Sequence, residues 1–361
     1  MQEQIETKRR AILVNVSPEK ELEKVLLELE QLATTADYEV VAFLTQRKDT
    51  ADKTYYIGTG KLEELKSVAI ATEADIIIFD NELNGSQFHN LESYLGIYVI
   101  DRATLIIEIF SRHATSNEGK LQVELMYKKK MLPRVMGQGL VLSRQGGGGA
   151  GGGGARRGAG EQKQELDKRT LRQEIRDLEE RINKLTAERA LRRERRVKNK
   201  VKVVSIVGYT NAGKSTLMNA LTKANVLTEN KLFATLDPVS RKLWLDNGKE
   251  FLLVDTVGFI SRLPHEFVKA FRSTLEETKF SDLILHVVDG SSPDAIEQYD
   301  VVNEVLASLD VTNTPIITVI NKSDKGSLSV LPDADTIVNI SARTGVGIEL
   351  LKEKISEILF N

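Results

Sequence analysis

The chain has 361 residues and a formal net charge of −2, with 41% hydrophobic and 28% charged residues; that length exceeds one ordinary core and suits two or three soluble domains. It has no cysteine, which excludes disulfides, thiol catalysis and thiolate metal sites and agrees with a cytoplasmic location. No apolar run approaches the roughly 18 residues of a membrane span, and the opening MQEQIETKRR lacks the apolar core of a secretion signal, so neither membrane insertion nor export is expected.

The near-neutral total hides a segregation of charge. Residues 120–200 hold 22 Lys or Arg against 10 Asp or Glu, so one segment is suited to a polyanion while the rest of the chain is acidic.

The first hundred residues alternate short apolar runs with amphipathic stretches. Ala11–Val16, Val40–Leu44, Ile76–Phe79 and Ile97–Ile100 read as strands; Pro18–Thr34, Leu62–Ala71 and Ser86–Leu95 read as helices. The pattern predicts a small α/β domain over residues 1–110 with a mostly parallel sheet. It carries no catalytic constellation.

From Ala103 the sequence favours helix, through Glu118–Tyr127 to Met131, with Pro133 as the expected stop. Ten of the fifteen residues from Gly146 to Gly160 are glycine. Beyond them Glu161–Asn199 has neither Pro nor Gly, and Leu171, Ile175, Leu178, Ile182 and Leu185 lay an apolar seam at heptad spacing. A helix of that extent reaches about 58 Å. So narrow a stripe needs a partner, and the helix before the glycines is the nearest. Residues 111–200 are therefore expected to form an antiparallel, coiled-coil-like helical hairpin with a basic shaft and a glycine-rich tip loop at about 137–160. A slack interdomain linker is the alternative reading of the glycines, but a tether requires no seam on either side.

From Lys202 strands and helices alternate again, predicting a second α/β domain with a mostly parallel sheet over residues 201–361. VVSIVGYTNAGKST places Gly208, Tyr209, Thr210, Asn211, Ala212, Gly213, Lys214, Ser215 and Thr216 between an apolar strand and a helix expected at Ser215–Lys223, in the G-x-x-x-x-G-K-S spacing of a phosphate-binding loop. Glycines let backbone N–H groups turn inward around the β-phosphate. Lys214 bridges the β- and γ-phosphates, and the Ser215 hydroxyl binds Mg²⁺.

Between that loop and the next motif lies KLFATLDPVSR, which includes Phe233, Ala234, Thr235, Leu236 and Asp237. A mobile threonine that completes Mg²⁺ coordination is expected here; by residue type Thr222, Thr228 and Thr235 all qualify. FLLVDTVGF is a strand ending in Asp255, followed by Thr256, Val257 and Gly258. Asp255 holds Mg²⁺ through water, and the Gly258 N–H senses the γ-phosphate, which makes Gly258, with Lys214 and the mobile threonine, a candidate catalytic group. Position 259, where many GTPases carry a water-orienting glutamine, is Phe259, so slow intrinsic hydrolysis is expected, with a partner or an ion supplying the missing function.

PIITVINKSD places Asn321, Lys322, Ser323 and Asp324 after a buried-strand pattern. A carboxylate at Asp324 accepts from N1–H and the N2 amine of guanine, whereas adenine offers it an unpaired acceptor, so ATP is rejected. Ser341, Ala342 and Arg343 follow the next strand, and the Ala342 N–H faces guanine O6. His89, His113, His265 and His286 lack ligand spacing and read as packing residues, as does Trp244 between Leu243 and Leu245. Arg192, Arg193, Arg195 and Arg196 read either as an RNA contact or as a solvated helix end.

The set GYTNAGKS, FATLD, DTVGF, NKSD and SAR resembles the translation-factor-related GTPases, and specifically the HflX family, over almost the whole chain. YIGTGK (56–61), DNEL (80–83), DRATLIIEIF (101–110), EGKLQVEL (118–125) and LPRVMG (132–137) belong to that resemblance. It selects Thr235 as the Mg²⁺-ligating threonine. The family's R-G-P-G-E reads here as RGAGE, with Ala159 in place of proline, and the glycine run is longer. The resemblance implies GTP and GDP as ligands and binding to the large ribosomal subunit, with the tip near the peptidyl-transferase region. It also implies GTP-dependent separation of stalled or idle ribosomes into subunits by a protein expected to be monomeric when free. Asn211 matches a position where similar GTPases bind K⁺ beside the phosphates; a loop-structuring asparagine is the other reading. A salt-sensitive basic arm suits rRNA. An RNA-remodelling ATPase or helicase and a regulatory GTPase with a protein partner are the competing functions; relative ATP and GTP affinity separates the first, and salt dependence the second.

Overall fold

The computed structural model describes residues 8–18, 22–145, 154–222, 233, 239–245, 248–262, 267, 278–311, 314–326, 328 and 332–360, with the side chains of 22–24, 136–145 and 154–164 outside that description. The chain divides into two units, residues 1–112 with 123–181, and residues 113–122 with 182–361.

In the first unit β1 (Arg9–Ser17), β2 (Tyr38–Arg47), β3 (Ile76–Phe79) and β4 (Tyr98–Asp101) form a wholly parallel sheet in the order β2-β1-β3-β4. The run Ile76–Phe79 is buried on both faces, as a parallel sheet between helices requires. The helices are α1 (Leu22–Thr35), α2 (Thr59–Ala71), α3 (Gly85–Leu95) and α4 (Arg102–His113). Asn84 and Gln87 close a reciprocal capping box at the start of α3, and Gly96 ends it in the left-handed conformation.

Charge is concentrated at the carboxyl ends of β3 and β4. Arg102 donates to Asp80 at 2.9 Å and to Glu28 at 2.8 Å, and Asn15 donates to the other Asp80 oxygen at 3.0 Å. Asp101 accepts from the Thr104 N–H and hydroxyl and pairs with Lys130 at 2.7 Å. The two aspartates of DNEL and DRATLIIEIF thus tie sheet to helices.

α5 (Asn117–Gln145) runs through Pro133, which corrects the expected stop. A proline withholds one backbone hydrogen bond from a helix. Here the next residue offsets the loss: Arg134 donates to Glu92 at 2.6 Å and to the Val99 carbonyl at 3.0 Å, and lies 4.0 Å over the Phe88 ring. α6 (Gly154–Lys198) is 45 residues long. Within the first unit Lys128 pairs with Glu174 at 3.0 Å and Lys129 with Glu179 at 2.6 Å, so α5 is the partner helix, and Ile175 and Leu178 of the seam are buried. Helix continues to Gln145 and resumes at Gly154, so both arms reach into the stretch expected as a tip loop.

In the second unit β5 (Lys202–Gly208), β6 (Val239–Trp244), β7 (Glu250–Asp255), β8 (Leu283–Asp289), β9 (Ile316–Asn321) and β10 (Ile337–Asn339) form a sheet in the order β10-β9-β8-β5-β7-β6. Only the pairing of β6 with β7 is antiparallel among the described strands. Its described helices include α7 (Lys214–Thr222), α8 (Ala295–Ser308) and α9 (Ile348–Phe360). Leu243 and Leu245 enter the core, but Trp244 is 66% exposed, which corrects its reading as a packing residue: side chains alternate along the edge strand β6 and Trp244 falls on the outer face. Arg189 pairs with Glu118 at 2.7 Å, and Arg193 lies 3.7 Å over the Phe280 ring. No helix among the described residues is long and apolar enough to cross a membrane.

Truncating Arg134 removes the ion pair to Glu92, which keeps only the Val99 N–H, and leaves Pro133 without compensation. Arg134→Ala should destabilise the first unit by about 3 kcal/mol in urea titration; a loss below about 1 kcal/mol would show that the helix tolerates its proline unaided.

Candidate functional site

The carboxyl ends of β9, β8, β5 and β7 are neighbours in one parallel sheet, the position where open α/β folds build ligand sites. The strands end in Asn321, Asp289, Gly208 and Asp255 in that order, three of them motif residues.

From β5 the chain enters the phosphate loop and turns into α7. Asn211 has φ 62°, a left-handed value that asparagine tolerates better than most residues, and its side chain is exposed. Lys214 is buried, and its Nζ donates to the Gly208 carbonyl at 3.1 Å and the Tyr209 carbonyl at 2.9 Å. Burial lowers its pKa to about 8, with the Asp255 carboxylate pulling the other way. A phosphate anion set against this ammonium stabilises its charged form.

From β7, Asp255 is fully buried and accepts from the Ser215 hydroxyl at 2.8 Å. Thr256 donates its hydroxyl to the Ile206 carbonyl at 2.7 Å, which fixes the start of the D-x-x-G segment, and Val257 is buried. The segment then pairs with the phosphate loop: the Thr210 N–H donates to the Phe259 carbonyl at 2.7 Å, and the Phe259 N–H donates to the Gly208 carbonyl at 3.1 Å. The Ser261 N–H donates to the Tyr209 hydroxyl at 2.7 Å.

From β9, the Asn321 amide donates to the Ala212 carbonyl at 2.9 Å, and its oxygen accepts the Ala342 N–H at 2.9 Å. That N–H, expected to face guanine O6, is engaged by Asn321 in the structure. Ser341 donates its hydroxyl to Asp324 at 2.7 Å, and this bond holds the Asp324 carboxyl below the usual range. The Ser323 N–H donates to the Ile340 carbonyl, which joins the N-K-S-D loop to the segment before Ser341. Ser323, Asp324 and Arg343 are exposed.

Phe233 is buried with φ 57°, whereas Ala234, Thr235, Leu236 and Asp237 lie outside the described residues. Thr216 sits on the first turn of α7.

One residue of this site carries no motif of its own in the sequence. Asp289 accepts from Lys322 Nζ at 2.7 Å and from the Ser291 N–H and hydroxyl, and so positions the lysine of the N-K-x-D motif. Its signal is an aspartate closing the apolar run LILHVVD, the pattern that marked Asp255. His286 does pack, as expected: it is buried, with its ring stacked 4.7 Å from that of Tyr299. Burial, reinforced by the Lys214 charge, lowers its pKa to about 3.

A parallel sheet whose strand ends carry a phosphate loop, D-x-x-G and N-K-x-D in that order defines a P-loop GTPase. The GTPase HflX of Caldanaerobacter subterraneus subsp. tengcongensis is 50% identical over 361 residues, covering 100% of this chain and 83% of the relative. That of Escherichia coli is 37% identical over 363 residues, covering 97% and 83%. The chain belongs to the HflX GTPase family; it binds GTP and hydrolyses it. Family models match in three blocks: "GTP-binding GTPase N-terminal" at residues 23–111, "GTP-binding GTPase Middle Region" at 113–196 and "50S ribosome-binding GTPase" at 203–322. The crystal structure of a GTP-binding protein from the hyperthermophilic archaeon Sulfolobus solfataricus in complex with GDP is similar at a TM-score of 0.50 and 26% identity, covering 98% of this chain and 99% of that one.

The depressed His286 pKa has a defined sign. Between pH 6.5 and about 3 the unfolded chain binds a proton there that the native chain refuses, so stability is lost as pH falls through that window. His286→Phe keeps the stacking and removes the proton. From pH 7 to 4 the wild type should lose up to about 3 kcal/mol more than the variant in denaturant titrations, and identical losses would contradict the burial of a neutral imidazole.

Proposed function

We propose that this protein binds the large ribosomal subunit and uses GTP to separate stalled or idle ribosomes into subunits. The observation that carries the proposal is the basic segment, 22 Lys or Arg against 10 Asp or Glu over residues 120–200, folded into the long helices α5 and α6. Arg192 and Arg195 are exposed near the end of α6, where phosphate contacts would supply salt-sensitive affinity. In this reading residues 111–200 act as one arm between an N-terminal domain (1–110) and a GTPase domain (201–361), and the glycine-rich tip meets rRNA. The match to a family described as 50S ribosome-binding supports the same partner. The protein works in the cytoplasm and is monomeric before it meets a ribosome.

The site suits Mg²⁺. Ser215 Oγ and the fully buried Asp255 carboxylate stand 2.8 Å apart, an all-oxygen donor set of the kind this cation prefers. Ser215 and Thr235 would hold the ion directly and Asp255 through water. When bound, it offsets the charge of the β- and γ-phosphates. Asn211 would bring K⁺ beside the same phosphates.

Sedimentation of intact ribosomes with the full chain tests the output. With GTP or a non-hydrolysable analogue the ribosome peak should move to separate subunits, and with GDP it should not. An unchanged profile with every nucleotide would contradict the proposal.

A further inference from the structure

Hydrolysis requires a water oriented for attack on the γ-phosphorus, and position 259 supplies nothing for that task. The Phe259 side chain is apolar and buried, its N–H is given to the Gly208 carbonyl, and its carbonyl is taken by the Thr210 N–H. Another group must hold the water.

Thr210 answers that need. Only 6% of the residue is exposed, and its Oγ1 is buried with no hydrogen-bond partner among the described residues. A buried hydroxyl left unpaired is costly, so one persisting in a phosphate loop points to a partner that arrives with the substrate. The side chain also packs beside Gly258, whose N–H is expected to sense the γ-phosphate. A β-carbon placed on Gly258 would lie 2.8 Å from Lys214 Nζ and 2.9 Å from Thr210 Cγ2. Lys214 Nζ, Gly258 and the Thr210 methyl therefore meet at one point, with the Thr210 hydroxyl on the other branch of the same β-carbon. The Thr210 backbone cannot drift from it, because its N–H is anchored to Phe259 at 2.7 Å.

We propose that the Thr210 hydroxyl orients the attacking water, taking the part that a glutamine at position 259 would play. Thr210 Oγ1 accepts a hydrogen bond from the water, which turns a water lone pair toward the γ-phosphorus. The water oxygen bonds to phosphorus as the bond from phosphorus to the β–γ bridging oxygen breaks, and that oxygen leaves on GDP with the electron pair. One water proton passes to a γ-phosphate oxygen, giving dihydrogen phosphate. Thr210 neither gains nor loses a proton, so it is a positioning group and not a base.

The test compares wild type, Thr210→Val and Thr210→Ser as full chains, by single-turnover GTP hydrolysis and by affinity for a non-hydrolysable GTP analogue. Valine keeps the shape and deletes the hydroxyl; serine keeps the hydroxyl and deletes the methyl. Thr210→Val should hydrolyse at least about tenfold more slowly while binding the analogue within about threefold of wild type, and Thr210→Ser should recover most of the lost rate. Unimpaired hydrolysis by Thr210→Val would overturn the assignment. So would equal losses in both variants, which indicate packing, or a fall in analogue affinity matching the fall in rate, which indicates a ground-state contact.

Discussion

The nucleotide site depends on one buried amide. Asn321 reaches back 109 residues to the Ala212 carbonyl of the phosphate loop and forward 21 residues to the Ala342 N–H. Three loops that leave the sheet separately are thereby set in one geometry, with the G-x-x-x-x-G-K-S and N-K-x-D loops at a fixed spacing. The contact is close enough to dictate its neighbour: Gly213 has φ 95°, and a β-carbon there would lie 2.3 Å from the Asn321 amide nitrogen. The second glycine of G-x-x-x-x-G-K-S is thus needed as much for the asparagine of N-K-x-D as for the turn itself.

The two units put buried charge at strand ends and use it in opposite ways. In the first, Arg102 bridges Asp80 and Glu28, and Lys130 pairs with Asp101, so the charges lock helices onto a sheet. In the second, Lys214 is buried with backbone carbonyls for company, and its pKa falls to about 8. An ammonium destabilised in that way gains from any polyphosphate brought to it, so the loop favours its ligand by withholding a full counter-charge.

Much of this was legible in the sequence because motif and period act locally. Strand Ile76–Phe79 reads directly from four apolar residues, and the phosphate loop from glycine spacing between a strand and a helix. The heptad seam through Ile175 and Leu178 anticipated a partner helix, which the Lys128 and Lys129 ion pairs place on α5. What escaped was set by distant partners. Pro133 stays in a helix because of Glu92 and Val99, far away in sequence. Asp289 gains its part only when β8 and β9 bring Lys322 beside it. Trp244 departs from expectation because a strand's period shows which residues share a face without saying which face is covered.

If the Asn321 amide organises the site, removing it must damage the phosphate and base contacts together. Asn321→Ala leaves the Ala212 carbonyl and the Ala342 N–H unpaired in a buried place, a loss of about 3 kcal/mol, or roughly a hundredfold in affinity. Titration of the variant with a fluorescent GDP should show that loss while the unfolding transition of the first unit stays at its wild-type midpoint. Wild-type affinity for GDP in Asn321→Ala would contradict the account.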